Sequence, residues 1–407
     1  MSGGIVQLVA IGAQDAYLTG KPEVSFYRST YKRYTHFANS VERQLIQGTP
    51  SAGGISTIRF EKKGDLMSYV YLTARDSTGA QVPLLNWASV IDKIDLLIGG
   101  QVIDTQDAYW MNNIEPVVGA TNTNQRLLPK YDSVLTPQQA GFNNNSFQAL
   151  KFFFCKDWQS ALPLVALQYH DVELRITWAA TLNQTAYVGG STVAPVGTKY
   201  QDLQYILWTN FIYLDQTERD FFAKTSQDML ITQVQRQFVP TAPVMELAFA
   251  HPVKFLAFQS NNYVQAYTAT TVPAGQGPTN ASFLQFKTQV NGTDIGESRS
   301  LLSWVDANQY YHTPNGYAPY NGAVSNVAIV PYCLDTSKLQ PTGTLNFSRI
   351  DTYRLITPSN INLQSIVQGT SSAATTAAGM SASPYIYAVN YNILRIQNGM
   401  GAVLYSS

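Results

Sequence analysis

Cys155, His170 and Asp171 are the residue types from which this chain could build a nucleophile and its base. A thiol is activated when an imidazole within hydrogen-bond reach accepts its proton and an acid orients the ring. The alternative is a histidine at the end of a strand that lies near an inert buried thiol without activating it. We favour this alternative, so these residues predict no catalytic pair.

Carboxylates gathered around one predicted hairpin are the other candidate for chemistry. Two facing acids can protonate and attack a glycosidic bond, as in jelly-roll glycosidases. Acids near turns more often cap the backbone or face solvent, and we expect that here. The acids concerned are Asp92, Asp95, Asp104 and Asp107.

Metal and cofactor signatures are missing from the sequence. The histidines lack metal-ligand spacing, and neither a GxSxG nor a P-loop pattern occurs. The cysteines, Cys155 and Cys333, fall in different predicted domains and are expected to be free buried thiols. The sequence therefore predicts a protein that is not an enzyme and holds no cofactor or metal. The histidines are His36, His170, His251 and His312.

An internal repeat organises the chain. VERQLI at 41–46 matches VQRQFV at 234–239, an offset of 193 residues. The glycine pair at 99–100 is echoed by Asn291 and Gly292 at an offset of 192. DVELRI at 171–176 matches DTYRLI at 351–356, and NFI at 210–212 matches NYN at 390–392, both offset by 180. Matches in the same order predict two tandem copies of one fold.

Length and composition agree with two domains that pack against neighbours. A chain of 407 residues exceeds the size of one hydrophobic core, so two domains of roughly 180 to 200 residues are expected. Charged residues make up 13%, where about a quarter is typical, and the formal net charge is zero. The chain has 25 tyrosines, and tyrosine is enriched at protein–protein interfaces.

Short β-branched and aromatic runs between turn residues predict an all-β protein. In the run 65–73, Tyr69 and Tyr71 face one side and Val70 and Leu72 the other, so we expect both faces to be covered. The pairs at 99–100 and 291–292 predict two-residue hairpin turns with positive φ.

One helix and four long loops complete the predicted elements. Asp215 is the expected N-cap of a helix with Phe221 and Phe222 on one side, between the two copies. Long loops between strands, in domains of this size, favour two tandem eight-stranded jelly-roll barrels, a double jelly roll. The predicted loops are 106–145, 181–199, 295–324 (with a turn at 310–314) and 357–383.

A series of segments, in order along nearly the whole chain, carries a family resemblance. The first are MSGGIVQLVAIGAQDAYLTG at 1–20, FYR at 26–28 and YKR at 31–33. The central segments are IGGQVID at 98–104, ALPLVALQYH at 161–170, YLD at 213–215 with Glu218 and Arg219, and HPVK at 251–254. The last are QPTGTLNFSR at 340–349, NYNILR at 390–395 and GMG at 399–401. In these segments the chain resembles the major capsid proteins of nucleocytoplasmic large DNA viruses.

The resemblance implies a double jelly roll whose homotrimer imitates a hexagon and tiles an icosahedral shell around double-stranded DNA. One alternative in the same class is a minor capsid or scaffold paralogue. An alternative from another class is a carbohydrate-binding jelly-roll protein. The expected segments are an arm at 1–38, a first jelly roll at 39–215, a connecting helix at 216–232 and a second jelly roll at 233–407.

Basic and aromatic residues alternate in the arm, where Arg28, Lys32 and Arg33 lie among tyrosines. Such a pattern can bind nucleic acid or an anionic membrane. We favour packing against the barrels or neighbouring subunits, without specific nucleic-acid binding. The resemblance implies that the arm lies on the inner side of the shell, near minor capsid proteins or an internal membrane.

Targeting signals and modification sites complete the expectations. The sequence shows neither a signal peptide nor an apolar run of membrane-spanning length, which predicts synthesis and folding in a cytoplasm. The resemblance implies assembly in the host cytoplasm and residence in the virion. Asn144 and Asn183 lie in predicted outer loops and are candidates for glycans attached by viral enzymes. The sequon at Asn291 is better explained by its turn, and the other sequons are at Asn280 and Asn346.

Overall fold

The computed structural model describes residues 4–5, 12–82, 84, 87–119, 147–188, 191–192, 198–259, 285–314, 327–358, 363–364 and 385–405. Residues 1–37 form one compact unit and residues 38–407 another. The first unit contains a 3-10 turn at Ala13–Asp15 and helix α1 at Ala16–Thr19. The Asp15 carboxylate accepts a 2.6 Å hydrogen bond from the Gly12 backbone N–H, which closes this turn.

The first half of the larger unit is a barrel of two antiparallel sheets. One sheet has the strand order β1-β11-β3-β6, with β7 also on β3, and the other has the order β2-β8-β4-β5. A separate pair, β9 and β10, lies beside them. The strands are β1 Phe37–Gln44, β2 Ile55–Arg59, β3 Leu66–Arg75, β4 Ile91–Ile98, β5 Gln101–Asp107, β6 Gln148–Ala149, β7 Leu162–Pro163, β8 Val172–Trp178, β9 Tyr187–Val188, β10 Ser191–Thr192 and β11 Gln204–Leu214.

The second half repeats this arrangement. Its sheets have the orders β12-β20-β14-β17 and β13-β19-β15-β16; β18 pairs with β14 and β21 with β20. Replacing β1, β11, β3 and β6 by β12, β20, β14 and β17 converts one sheet order into the other. The strands are β12 Gln227–Phe238, β13 Val244–Glu246, β14 Pro252–Gln259, β15 Gln285–Val290, β16 Thr293–Ser300, β17 Val327–Pro331, β18 Leu345–Asn346, β19 Tyr353–Ile356, β20 Tyr385–Gln397 and β21 Met400–Val403.

Short helical segments join these strands. α2 covers Glu115–Val118, α3 Gln216–Lys224 and α4 Asn308–His312; π-helical turns at Trp110–Ile114 and Ser303–Ala307 precede α2 and α4. The 3-10 turns are Trp87–Ser89, Phe153–Cys155, Trp158–Ser160, Leu164–Ala166, Ala180–Asn183, Tyr200–Asp202 and Phe347–Arg349.

The predicted double jelly roll is confirmed, and the sequence matches fall on equivalent strands. VERQLI and VQRQFV belong to β1 and β12, and DVELRI and DTYRLI to β8 and β19. Both predicted hairpin turns have positive φ at their two central residues: 59° at Gly99, 82° at Gly100, 47° at Asn291 and 80° at Gly292. Equivalent strands in equivalent sheet positions make the two barrels copies of one topology.

Alternating side chains build the two cores. In β8, Val172, Leu174, Ile176 and Trp178 are buried and the residues between them are not, as expected for strands that cover a core on one face. The second barrel encloses its own cluster, which includes Phe286, Trp304 and the inward residues of β20. The first barrel's cluster continues into outward-facing residues of the second barrel. The two halves therefore have separate interiors and share an apolar contact.

Three predictions about local structure were wrong. The connecting helix ends at Lys224 rather than 232, because the following residues enter β12. The expected loops at 106–145 and 295–324 begin as strand and then helix, and the predicted turn at 310–314 lies mostly in α4. The outer face of β3 is only partly covered by described residues, since Tyr69 is 45% exposed and Tyr71 is half-buried.

Candidate functional site

The contact between the two barrels, which we call the junction, buries two acids together with their hydrogen-bond partners. The end of β5 and the helical turn after it supply one side of the junction. The outward face of the sheet β12-β20-β14-β17 supplies the other side. Because the junction sets the angle between the barrels, it determines the shape that the chain presents to its neighbours.

Asp107 is the polar centre of the junction. Its carboxylate is buried and accepts hydrogen bonds from the Trp110 backbone N–H at 2.7 Å and the Tyr387 hydroxyl at 2.7 Å. Arg236 Nη1 lies 2.9 Å from the same carboxylate. Burial raises the pKa of Asp107, and the Trp110 N–H and the Arg236 charge act against that rise. Two elements of the second barrel thus bind one acid of the first.

Asp104 is a second acid of the junction, three residues before Asp107 on β5. Its carboxylate accepts a 2.8 Å hydrogen bond from the Val234 backbone N–H, which lies on the edge of β12. Gln106 Nε2 donates to it at 2.8 Å from the same barrel. Burial raises the pKa of Asp104 to about 6, although these donors favour the charged form.

Apolar and backbone contacts surround the two acids. The Trp110 and Tyr387 ring centroids lie 5.6 Å apart, and both rings are buried. Gln233 Nε2 donates to the Ile103 carbonyl oxygen, and Thr336 Oγ1 donates to the Val118 carbonyl oxygen at 2.7 Å. The two buried carboxylates are therefore paired within a closely packed contact, the condition under which buried charges are tolerated.

The hairpin between β20 and β21 forms the other end of the junction. The Tyr169 backbone N–H donates to the Gly399 carbonyl oxygen at 2.9 Å, and His170 Nδ1 lies 3.0 Å from the Gly401 carbonyl oxygen. Gly399 has φ of 77°, and a Cβ there would lie 2.5 Å from the Tyr169 ring. Only glycine allows this approach of backbone to ring.

The candidate nucleophile and base are not brought together. His170 contacts the β20–β21 hairpin, whereas Cys155 Sγ lies 3.9 Å from the Ser68 carbonyl oxygen. Burial raises the pKa of the Cys155 thiol to about 12, which leaves it protonated and a poor nucleophile. Cys155 and Cys333 are both free thiols, as predicted. Cys333 is buried, whereas Cys155 is only partly so.

The clustered acids were expected to cap the backbone or face solvent. Asp107 does cap the Trp110 backbone N–H, but exposure to solvent was wrong for three of the four acids. Asp95, Asp104 and Asp107 are each less than 5% exposed, because the second barrel and the neighbouring strand cover this edge. Asp95 accepts a 2.8 Å hydrogen bond from Thr105 Oγ1 within the first barrel. Asp92 is the exposed member of the group. The acids bind the junction together instead of facing each other across a groove.

The remaining predicted residues lie elsewhere. Arg28, Lys32 and Arg33 are exposed in the arm. Asn183 is exposed at the end of a 3-10 turn, and Asn144 lies outside the described residues. No cluster of three or more His, Cys, Asp or Glu residues in the described ranges could hold a metal ion. Within those same ranges, no helix is long and apolar enough to cross a membrane.

Asp104 gives the junction a testable pH dependence. Its folded pKa of about 6 exceeds its ordinary 3.8, so the folded state holds this proton more tightly. Its contribution to stability is therefore full below about pH 4 and is lost as the pH rises through about 6. The free energy of unfolding of Asp104→Asn, relative to that of the parent protein, should therefore rise by on the order of 3 kcal/mol between pH 4 and 7. Urea unfolding at a series of pH values measures this difference.

Asp228→Asn is the matched control for this measurement. Asp228 is exposed, and its pKa is lowered by hydrogen bonds from Arg395. Its contribution is present above its ordinary pKa of 3.8 and is lost only on further acidification, so the Asp228→Asn difference should stay nearly constant between pH 4 and 7. An Asp104→Asn difference that stays constant from pH 4 to 7 would show that the junction does not bury a titrating acid.

Two family models match consecutive parts of the chain. Residues 25–215 match the model described as "Major capsid protein N-terminus". Residues 218–402 match the model described as "Large eukaryotic DNA virus major capsid protein". The first match ends and the second begins next to α3.

Whole-length relatives give the same result. The chain is 30% identical to the major capsid protein of Paramecium bursaria Chlorella virus 1, with both chains covered completely. It is also 30% identical to that of Pyramimonas orientalis virus, again with complete coverage. Among solved structures, the quasi-atomic model of the PBCV-1 virus capsid matches with a TM-score of 0.69 and 25% identity, covering 94% of this chain and 100% of that one. The Faustovirus major capsid protein, at 12% identity and a TM-score of 0.55 over 97% of both chains, shares the fold.

Proposed function

Since the chain belongs to the major capsid proteins of large eukaryotic DNA viruses, and is a structural protein of the virion capsid rather than an enzyme, we propose that it forms homotrimers. In each trimer, three chains supply six barrels, which stand in a ring with a near-hexagonal outline. Such rings tile the faces of an icosahedral shell through many weak contacts repeated over a lattice.

The observation that carries this proposal is the junction built around Asp107. A ring of six similar barrels requires the two barrels of each chain to keep one fixed angle. Arg236 and Tyr387 both bind the buried Asp107 carboxylate, which ties β12 and β20 to the end of β5. Paired buried charges are costly to separate, so the angle is held before any chain meets another.

The mass of the purified protein in solution tests the proposal. We expect light scattering to give about 135 kDa, three times the 44.9 kDa of one chain. Closed cyclic symmetry limits growth to three chains. A protein that stays at the mass of one chain at concentrations near those of assembly would contradict the proposal.

The arm supplies contacts beyond the trimer in this proposal. Tyr17, Phe26, Tyr27 and Tyr31 are each at least 87% exposed in the chain, a density of exposed aromatic rings that favours a binding role. Arg28, Lys32 and Arg33 add positive charge among them. We place the arm on the inner face, against minor capsid proteins or an internal membrane.

Charge reversal in the arm separates trimer formation from shell formation. The triple variant Arg28→Glu, Lys32→Glu, Arg33→Glu should form trimers of normal mass, because the barrels are unchanged. We expect it to yield few complete particles when it replaces the parent protein in infected cells, counted by electron microscopy. Normal particle yield would show that these side chains do not contribute contacts.

We also propose that the particles form in the host cytoplasm. Mass spectrometry of particles of the parent protein would show whether Asn144 or Asn183 carries a glycan.

A further inference from the structure

A cavity of about 350 Å³ lies at the junction, between β5 of the first barrel and β12 and β21 of the second. Pockets that bind small molecules begin at about 300 Å³. Of the described residues that line the cavity, Asp104 alone is charged when histidine is neutral. Apolar side chains form much of the remaining wall: Val102, Ile103, Val234 and Val403. The cavity therefore combines one acid with an apolar lining.

Asp104 differs from Asp107 in having no cation bound to it. Arg236 Nη1 lies 2.9 Å from the Asp107 carboxylate, whereas no lysine or arginine of the described residues forms an ion pair with Asp104. Lys156 acts on Asp104 through its charge, but its Nζ lies 3.4 Å from Thr232 Oγ1. A buried acid with a raised pKa that lines a cavity is a candidate binding group.

The hydrogen bonds of Asp104 leave room for one more donor. Its Oδ1 accepts from the backbone N–H groups of Thr105 at 3.0 Å and Val234 at 2.8 Å, and its Oδ2 accepts from Gln106 Nε2 at 2.8 Å. A carboxylate offers about four acceptor positions, two on each oxygen, so one position on Oδ2 remains. The fork of a guanidinium uses both oxygens, whereas an ammonium group is a compact point charge. The remaining position therefore suits an ammonium group.

His251 supplies a second acceptor to the cavity. Its φ of 67° is uncommon for a residue with a side chain, and such strain is concentrated at functional sites. The conformation is held because the His251 N–H donates to Ser348 Oγ at 2.8 Å and its carbonyl oxygen accepts from the Phe347 N–H at 3.1 Å. Burial lowers the pKa of His251, so its ring is neutral at pH 7 and one nitrogen can accept a hydrogen bond. Gln101 and Tyr405 also line the cavity.

We propose that this cavity binds a primary ammonium group carried on an alkyl chain, with Asp104 as its counter-ion. An ammonium group has three N–H donors, and Asp104, His251 and Gln101 each offer an acceptor from the cavity wall. The apolar lining contacts the methylene groups, as in other sites that bury the stem of a lysine. A lysine of a partner protein and a free polyamine present this same chemistry. The site lies within one chain, so it does not depend on the proposed trimer.

Calorimetric titration of the purified protein with n-butylammonium chloride tests the proposal. We expect saturable binding at pH 7, and no binding of n-butanol, which has the same alkyl chain without the charge. Binding should be about tenfold weaker at pH 5, because the ionised fraction of an acid with a pKa of about 6 falls from about nine-tenths to about one-tenth. Protonation of His251 acts in the same direction. Equal binding of butanol, or tighter binding of n-butylguanidinium, would overturn the proposal.

Three variants locate the binding site. Asp104→Asn should weaken butylammonium binding at least tenfold, because it removes the counter-ion. Val102→Trp should also prevent binding, because it fills the cavity without altering the hydrogen bonds of Asp104; Val102 is 45% exposed, so this variant should fold. Asp228→Asn is the matched control, since Asp228 pairs with Arg395 and does not line the cavity. Parent-like binding by both Asp104→Asn and Val102→Trp would place the ammonium group elsewhere and refute the proposal.

Carbodiimide coupling in particles from infected cells distinguishes the two sources of the ammonium group. The reagent activates a carboxylate and leaves as a urea when a neighbouring amine attacks, which forms an amide bond. Mass spectrometry then identifies what is attached to Asp104. A lysine-containing peptide would identify a partner protein, and a small amine would identify a free polyamine; either result supports the proposal. An Asp104 peptide with no amine attached would contradict it.

Discussion

Replacing Arg236 by alanine is expected to lower the free energy of unfolding by about 3 to 5 kcal/mol. The substitution leaves the Asp107 carboxylate in the junction without its cation, while the carboxylate itself is only 2% exposed. It also removes the guanidinium from above the Tyr385 ring, where the distance to the centroid is 4.6 Å. Urea unfolding at neutral pH, followed by tryptophan fluorescence, measures the change.

Arg354→Ala is the control for this prediction. Arg354 Nη2 lies 3.3 Å from Glu246 Oε2, in an ion pair of the same barrel whose side chains are 42% and 53% exposed. An exposed pair contributes at most about 1 kcal/mol. Equal losses for the two arginine variants would contradict the view that Arg236 acts by neutralising a buried acid.

Replacing Trp110 by alanine is expected to lower the free energy of unfolding by about 3 to 5 kcal/mol, through the apolar part of the junction. Trp110 is 1% exposed and packs on Tyr387, so its loss opens a cavity between the barrels. Because the cavity lies between barrels and not inside one, the trimer should also become less uniform in outline. Calorimetry measures the first effect and class averages of electron micrographs the second.

Trp158→Ala provides the comparison. Trp158 is 81% exposed, so its removal should change stability by less than about 0.5 kcal/mol. A Trp110→Ala protein as stable as the Trp158→Ala protein would mean that the barrels do not depend on this contact for their arrangement.

The fold was predictable because tandem copies keep their turns and strand ends. The match between NFI and NYN is correct in strand, since β11 and β20 hold equivalent places in their sheets. Pairing between neighbouring strands is irregular at Thr209/Phe211 in the first barrel and at Val253/Phe255 in the second. A bulge shifts register without leaving a distinctive residue pattern.

The junction was not predictable from local patterns. Asp104 and Asp107 stand near a hairpin, where acids usually face water, and their burial depends on β12, some 130 residues later. Arg236 and Tyr387 carry no motif that marks them as partners of those acids. One signal was available: Arg236 lies in the repeated VQRQFV segment, and its counterpart Arg43 is exposed. A repeat shows equivalent positions, but only packing shows which member of each pair is covered.

The same reasoning explains the wrong expectation for Tyr69 and Tyr71. Apolar residues on both faces of β3 predicted cover on both sides, and the inner face agrees, since Val70 and Leu72 are buried. The outer face is only partly covered within the described part of the chain, where Tyr69 is 45% exposed and Tyr71 is half-buried.

Electron micrographs of the purified, negatively stained protein test the central claim most directly. The claim is that a rigid junction fixes the angle between the two barrels of each chain. The six barrels of three chains then occupy nearly equivalent positions in a ring with a hexagonal outline. Class averages should show particles with a hexagonal outline and six similar densities. Particles with three separated lobes, or with barrels at variable angles within a chain, would contradict it.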